Sequence, residues 1–276
     1  MSTNKKPPRR RVLLGCLTIV IAIPLLYYAV QAVLRTPPLA STTQVIAHRG
    51  GAKYAPENTL AAFQNAIAQG ADWLEFDVQM TRDGALVVIH DETVDRTTNG
   101  TGAVRDLTLE QISSLDAGDG QKVPTFEEVI QLAKQHGANI LPEAKSAHLY
   151  PGIEEKMLQA LDNAGYLDKT VIQSFEAPSL EKFRALNPDA RLCALYGLWQ
   201  FNVRQPAGNA QYICPMGEMV LLDPAMIRQA HLEGRQAFVW FGKLENPLVW
   251  KLARWFGADG IMDNDPLALK AALSSP

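Results

Sequence analysis

Two histidines, three acids and two basic residues stand at or near the ends of apolar runs, where the run before a side chain fixes its direction. The run at Val45 ends in His48-Arg49-Gly50-Gly51. The next carries Glu75 and Asp77 among Leu74, Phe76 and Val78. A third ends in His90-Asp91, and a fourth in Glu143 and Lys145. Side chains alternate faces along a strand, so Glu75 and Asp77 share a face, as do Glu143 and Lys145. Asp83-Gly84, taken as a two-residue hairpin turn, pairs Arg82 with Ala85 and, counting back, Asp77 with His90. Opposed residues share a face, so this register sets His90 beside Asp77.

Converging carboxylates need compensation, because an unpaired buried charge costs several kcal/mol even after relaxation. A divalent cation supplies it, and an all-oxygen donor set favours Mg²⁺ or Ca²⁺ over zinc. The competing reading pairs the same acids with Arg49 and Lys145 in ordinary salt bridges. Imidazoles, with an unperturbed pKa of ~6.5, suit general acid and base work, which makes His48 and His90 the candidates. His136, His148 and His231 fall in helical or loop contexts and read as surface or packing residues.

The elements that must position these groups alternate. Strands are expected at Val45–Arg49, Trp73–Gln79, Ala85–His90, Asn139–Lys145, Thr170–Phe175, Arg191–Tyr196, near Met219–Leu222, at Gln236–Phe241 and at Gly260–Met262. Helical patterns lie between most of them. One starts after Asn58 and closes at Gly70, and one is capped by Thr125 with Glu128 completing a capping box. Setting one hairpin arm aside leaves eight parallel strands, which points to a closed (β/α)8 barrel. An open doubly wound sheet is the alternative, and neither a GxGxxG nor a P-loop follows any strand to favour it.

The 276 residues carry a net charge of −3 and no basic run beyond the first eleven, so nothing here favours nucleic acid as a partner. Residues 1–11 read as a basic cytoplasmic tail, 12–34 as a membrane-spanning helix, 35–43 as a linker and 44–272 as the barrel domain. Val12–Leu34 is an uncharged stretch of 23 residues, and about 20 span a bilayer core. Basic residues before the span put the N-terminus inside and the domain on the extracytoplasmic side of the cell membrane. A cleaved signal usually has a shorter apolar region, of ~7–15 residues, and a lipoprotein reading of Leu13-Leu14-Gly15-Cys16 lacks an apolar region before the cysteine. Cys193 and Cys214 read as buried apolar thiols; an outward domain permits a disulfide between them.

Taken in order and spacing, the motifs resemble the glycerophosphodiester phosphodiesterase family. They are His48-Arg49-Gly50, Pro56-Glu57-Asn58-Thr59, Ala62-Phe63, Glu75-Phe76-Asp77-Val78, Thr81-Arg82-Asp83-Gly84, His90-Asp91 and Arg96-Thr97-Thr98. Further on come Pro124-Thr125, Glu143-Ala144-Lys145, Gln173-Ser174-Phe175 and Val239-Trp240. The resemblance spans Ile46 to Pro266. It implies a (β/α)8 barrel of the TIM type with an insertion at about Glu92–Val123. It also implies metal ligands at Glu75, Asp77 and Glu143, an acid/base pair at His48 and His90, phosphate contacts from Arg49 and Lys145, and Trp240 on the glycerol side. Glu57 and Asn58 support the site. The implied reaction is hydrolysis of a glycerophosphodiester to sn-glycerol 3-phosphate and an alcohol. A lysophospholipase D-like activity on lysolipids is the alternative, and a non-catalytic anchored binding protein is the alternative of another class.

Two stretches depart from the family pattern. Phe241-Gly242-Lys243 stands where the family often has Thr-Val-Asn. Asp263-Asn264-Asp265-Pro266 stands where it usually reads Thr-Asp-x-Pro. Both put the alcohol side of the pocket in question.

Overall fold

The computed structural model describes residues 9–39 and 42–274. Most of the expected basic tail, and Ala40 and Ser41 of the expected linker, lie outside the described residues. The chain divides into two units, one ending at Arg35 and one beginning at Thr36. The first is formed by the helix Arg9–Leu34, with Pro24 inside it. Among the described residues no helix is long and apolar enough to cross a membrane. The span expected at Val12–Leu34 has its side chains described only from Ala22 onward.

The second unit is a closed barrel. Its strands are β1 (Gln44–Ala47), β2 (Trp73–Met80), β3 (Leu86–Val88), β4 (Asn139–Ala144), β5 (Ile172–Ser174), β6 (Leu192–Tyr196), β7 (Tyr212–Pro215), β8 (Gln236–Trp240) and β9 (Gly260–Asp263). Eight of them pair in parallel in the order β1-β9-β8-β7-β6-β5-β4-β2, and β2 pairs back onto β1 to close the ring. β3 is the accessory strand, antiparallel to β2. This is the (β/α)8 architecture that the alternation predicts, and it removes the open-sheet alternative. Thr125 caps the helix Phe126–His136 in a reciprocal capping box with Glu128, as its sequence signature requires.

Alternation along each strand builds two cores. Leu74, Phe76 and Val78 face outward and pack against Phe63 and Phe126 of the surrounding helices. Ile46, Trp73, Leu141, Cys193, Cys214 and Phe238 fill the lower barrel interior. That apolar plug leaves only the C-terminal ends of the strands for polar inward groups, which is where Glu75, Asp77 and Glu143 stand. The opposite, N-terminal face holds the incoming chain. The Leu39 amide donates to Asp259 Oδ1 (2.5 Å), and Thr36 Oγ1 lies 2.5 Å from Nδ1 of buried His231, whose Nε2 meets Asp259.

Two local readings are corrected. The strand expected near Met219–Leu222 lies earlier, at Tyr212–Pro215, and Gly217–Leu222 is a short helix that buries Met219 and Val220. A short apolar run does not distinguish a buried strand from a buried helical turn. The hairpin turn has three residues instead of two. The Thr81 amide donates to the Ala85 carbonyl, and Gly84 takes φ +83° as the last loop residue. The register therefore pairs Val78 with Val88 and Gln79 with Val87. The Ile89 amide, not that of His90, reaches the Asp77 carbonyl.

Candidate active site

β1 stops at Ala47, short of the expected Arg49, and the chain turns once over His48–Gly50. Arg49 is left-handed in that turn, at φ 50° and ψ 34°. Gly50 also has positive φ, and a Cβ there would stand 2.8 Å from the Phe63 ring. Glycine thus lets the turn rest directly on the helix Leu60–Ala68. The turn aims the Arg49 amide at Glu75 Oε2 (2.8 Å) and brings His48 Nε2 to 4.0 Å from the same carboxylate.

Glu75, Asp77 and Glu143 converge as their strand positions require. Each is buried, and each offers an oxygen so placed that all three lie within 4.8 Å of one another. Gln173 Nε2 donates to Glu75 Oε1 (2.8 Å), and Asn58 Nδ2 to Asp77 Oδ2 (2.9 Å). Two cations face the three acids. Arg49 Nε is 3.7 Å from Asp77, and Lys145 Nζ is 3.6 Å from Asp77 and 3.3 Å from Glu143. The salt bridges of the competing reading therefore exist, but they leave one carboxylate more than there are cations.

The imbalance appears in the acidities. Burial and the Asp77 charge push Glu75 well above the ordinary carboxylate range. Burial lifts Glu143 to about 7 despite Lys145. Asp77 is also raised by burial, yet Lys145, His90 and Arg49 outweigh that and hold it low. An all-oxygen cluster with two carboxyls forced toward neutrality fits a hard divalent cation, which would restore their charge.

His90 reaches the site by a different route from the one its expected register gives. Past the end of β3, Gln79 Nε2 donates to the carbonyls of Ile89, His90 and Asp91 at 2.9, 3.0 and 2.6 Å. That bend turns the half-buried imidazole into the cavity although it is not opposed to Asp77. His90 Nδ1 lies 2.6 Å from Asp91 Oδ1. Arg96 binds Asp91 and also Glu57, and Glu57 holds Arg49 Nη1 at 2.9 Å. One chain of charges therefore ties His90 to Arg49. Burial and the Arg49 charge lower His48 to about 4, and burial lowers His90 as well.

The cavity so formed holds about 190 Å³, room for some six water volumes. One wall is ionic. The other is Phe175, Leu195, Trp240, Phe241 and Met262. Trp240 donates its indole N–H to the Cys214 carbonyl (3.1 Å) and meets Phe175 edge to face, centroids 5.7 Å apart. Cys193 and Cys214 are disulfide-bonded beneath it, with Cα atoms 6.0 Å apart.

The sequence model of the Glycerophosphoryl diester phosphodiesterase family matches residues 48–268. The chain belongs to that family. A glycerophosphodiester phosphodiesterase of Caldanaerobacter subterraneus is 39% identical over 240 residues, covering 82% of this chain and 96% of its own length. Among solved structures, a glycerophosphodiester phosphodiesterase of Agrobacterium tumefaciens superposes with a TM-score of 0.73 at 29% identity, over 83% of this chain and all of that one. A phosphodiesterase of Oleispira antarctica, solved with the product sn-glycerol-3-phosphate, gives 0.75 at 27% identity, over 85% of this chain and 98% of that one. Membership places the chain among the phosphoric diester hydrolases.

Of the expected site residues, His48, Arg49, Glu75, Asp77, His90, Glu143, Lys145 and Trp240 line this cavity, and Glu57 and Asn58 stand behind it, bonded to Arg49 and Asp77. Four polar groups that the sequence reading gave no role stand there too: Gln79, Gln173, Asp91 and Arg96. Gln173 had a signal, since an inward glutamine in an apolar strand needs a partner. The departure at Phe241-Gly242-Lys243 also has a local cause. The Glu218 carboxylate accepts from the amides of Gly242, Lys243 and Leu244, so this loop is pinned by its backbone.

Proposed function

We propose that this chain hydrolyses glycerophosphodiesters to sn-glycerol 3-phosphate and an alcohol, in glycerophospholipid metabolism. The observation that carries the reading is the convergence of three buried carboxylates, two cations and two imidazoles on one small cavity. Glu75, Asp77 and Glu143 hold a divalent ion, Mg²⁺ or Ca²⁺. Bound there, such an ion neutralises charge on the phosphoryl oxygens. Arg49 and Lys145 bind the phosphate from the same side. The nucleophile gives its proton to one imidazole, its oxygen bonds to phosphorus, and the bond to the leaving alcohol breaks. The second imidazole protonates that alkoxide. Water as nucleophile gives sn-glycerol 3-phosphate directly, whereas the substrate's own glycerol hydroxyl gives a cyclic phosphate that a water then opens to the same product. Trp240 and Phe175 offer an apolar wall to the glycerol carbons.

A lysolipid substrate is the second reading, favoured by one observation. Leu198 and Trp199 are largely exposed on the β6–β7 loop, beside half-exposed Phe175. Against it, the cavity next to that loop is lined mainly by polar groups, Asn202, Arg204 and Gln205 among them. The soluble unit with Mg²⁺ or Ca²⁺ is expected to release sn-glycerol 3-phosphate from glycerophosphocholine at least tenfold faster than it cleaves lysophosphatidylcholine. The reverse order would move the assignment to lysolipids, and no turnover of either would favour a binding protein.

The chain is proposed to be a single-pass membrane protein with the barrel on the extracytoplasmic side. The uncharged Val12–Leu34 stretch of the sequence supports this. The buried Cys193–Cys214 disulfide suits an oxidising compartment. Alkaline phosphatase fused after Thr43 is expected to be active in a bacterial host. An inactive fusion there, alongside an active cytoplasmic reporter, reverses the topology.

A further inference from the structure

We infer that Asn264 and Glu245 are positioning residues for His48, acting as a pair that fixes both the tilt of its ring and the nitrogen that carries the proton. The inference rests on the reading of His48 as a proton-transfer group. Asn264 lies just past β9, and its side chain stands between two others. Its Nδ2 is 2.8 and 3.0 Å from the two Glu245 oxygens, and its Oδ1 is 3.0 Å from His48 Nδ1.

The chemistry of the pair allows one arrangement. A carboxylate only accepts hydrogen bonds, so the Asn264 amide must turn its NH₂ toward Glu245. Its carbonyl oxygen then faces His48 and can only accept. His48 Nδ1 is therefore the protonated nitrogen and donates to Asn264. Nε2 is left facing the acid cluster, 4.0 Å from Glu75 Oε2. Two further contacts hold the loop that carries Asn264. The Asp265 amide donates to Asp263 Oδ1 (2.8 Å), and the Asn264 carbonyl accepts from the Lys53 amide (3.1 Å).

This gives the departure at Asp263-Asn264-Asp265-Pro266 a physical meaning. A carboxylate at position 264 could accept from His48 but would stand against Glu245 and repel it. The amide both accepts from the imidazole and donates to the carboxylate, so Asn264 and Glu245 are matched to each other.

Steady-state kinetics of the full chain with Mg²⁺ and glycerophosphocholine test this. Asn264→Ala is expected to lower kcat about 10- to 100-fold, the size of a misplaced reacting group, with KM within about threefold. Asn264→Asp is expected to be impaired, and Asn264→Asp combined with Glu245→Gln to recover most of kcat, because the introduced amide again donates to the introduced carboxylate. A general packing role would not produce that recovery. If His48→Ala loses turnover while Asn264→Ala keeps kcat within twofold, the positioning role is overturned and the catalytic reading stands. A rise in KM matching the fall in kcat/KM for Asn264→Ala also overturns it. Full activity in His48→Ala instead removes the reading on which the inference rests.

Discussion

Replacing His48 or His90 by alanine is expected to lower kcat by ~10²–10⁴, the usual contribution of a positioned acid or base, while the fold and metal binding persist. Neither imidazole is a core packing group, since each is half-buried and lines the cavity. Each has its Nδ1 engaged by an orienting oxygen, Asn264 Oδ1 for His48 and Asp91 Oδ1 for His90. The other nitrogen of each ring is the one available for proton transfer, and that of His48 faces Glu75 at 4.0 Å. Removing either ring leaves the Glu75–Asp77–Glu143 cluster intact. Melting temperature and its shift with Mg²⁺ should therefore stay near wild type as turnover falls. A variant that keeps near-full activity, or one that loses activity only because its melting point collapses, would exclude that histidine from proton transfer.

How far the sequence reveals this site depends on the range of the interaction. Strand periodicity alone aligns Glu75 with Asp77 and Glu143 with Lys145, and the structure places all four on one cavity. Barrel closure then brings β2 and β4 side by side, with Asp77 level with Glu143. A one-residue change in turn length was enough to misplace the His90 register, because strand pairing has period two. His90 enters the cavity only through Gln79, which gathers three successive carbonyls beyond the strand. No local pattern encodes that bend. The contacts behind the imidazoles are also long-range. Asn264 is 216 residues from His48 in sequence, and Arg96 is 39 from Glu57. Residue types at strand ends identify the groups that react, whereas the groups that orient them become visible only when the barrel closes.

Chelation is expected to abolish turnover, and Mg²⁺ or Ca²⁺ to restore it, because the three acids face only two cations. The same geometry separates the ligands by what their loss does to the metal-free protein. Glu143 has its folded pKa raised by burial to about 7. The folded chain therefore holds a proton that the unfolded chain releases near pH 4.5, and this group makes metal-free stability fall as pH rises from about 4.5 to 7. Glu143→Gln should thus be more stable than wild type without metal at pH 8, on the order of 3 kcal/mol at ~1.4 kcal/mol per pKa unit. That advantage should vanish below pH 4.5. Asp77 behaves oppositely. Lys145, His90 and Arg49 hold it below its ordinary range, so it contributes stability that is lost as pH falls through its folded value. Asp77→Ala should be less stable than wild type at neutral pH, since Lys145 and Arg49 lose a buried counter-charge. Both variants should lose the melting shift that Mg²⁺ gives wild type, and that shift should be larger at pH 8 than at pH 5.5, where protons compete for Glu143. If wild type and both variants gain the same number of degrees on adding Mg²⁺, the ion binds elsewhere and the three acids are only a salt-bridge cluster.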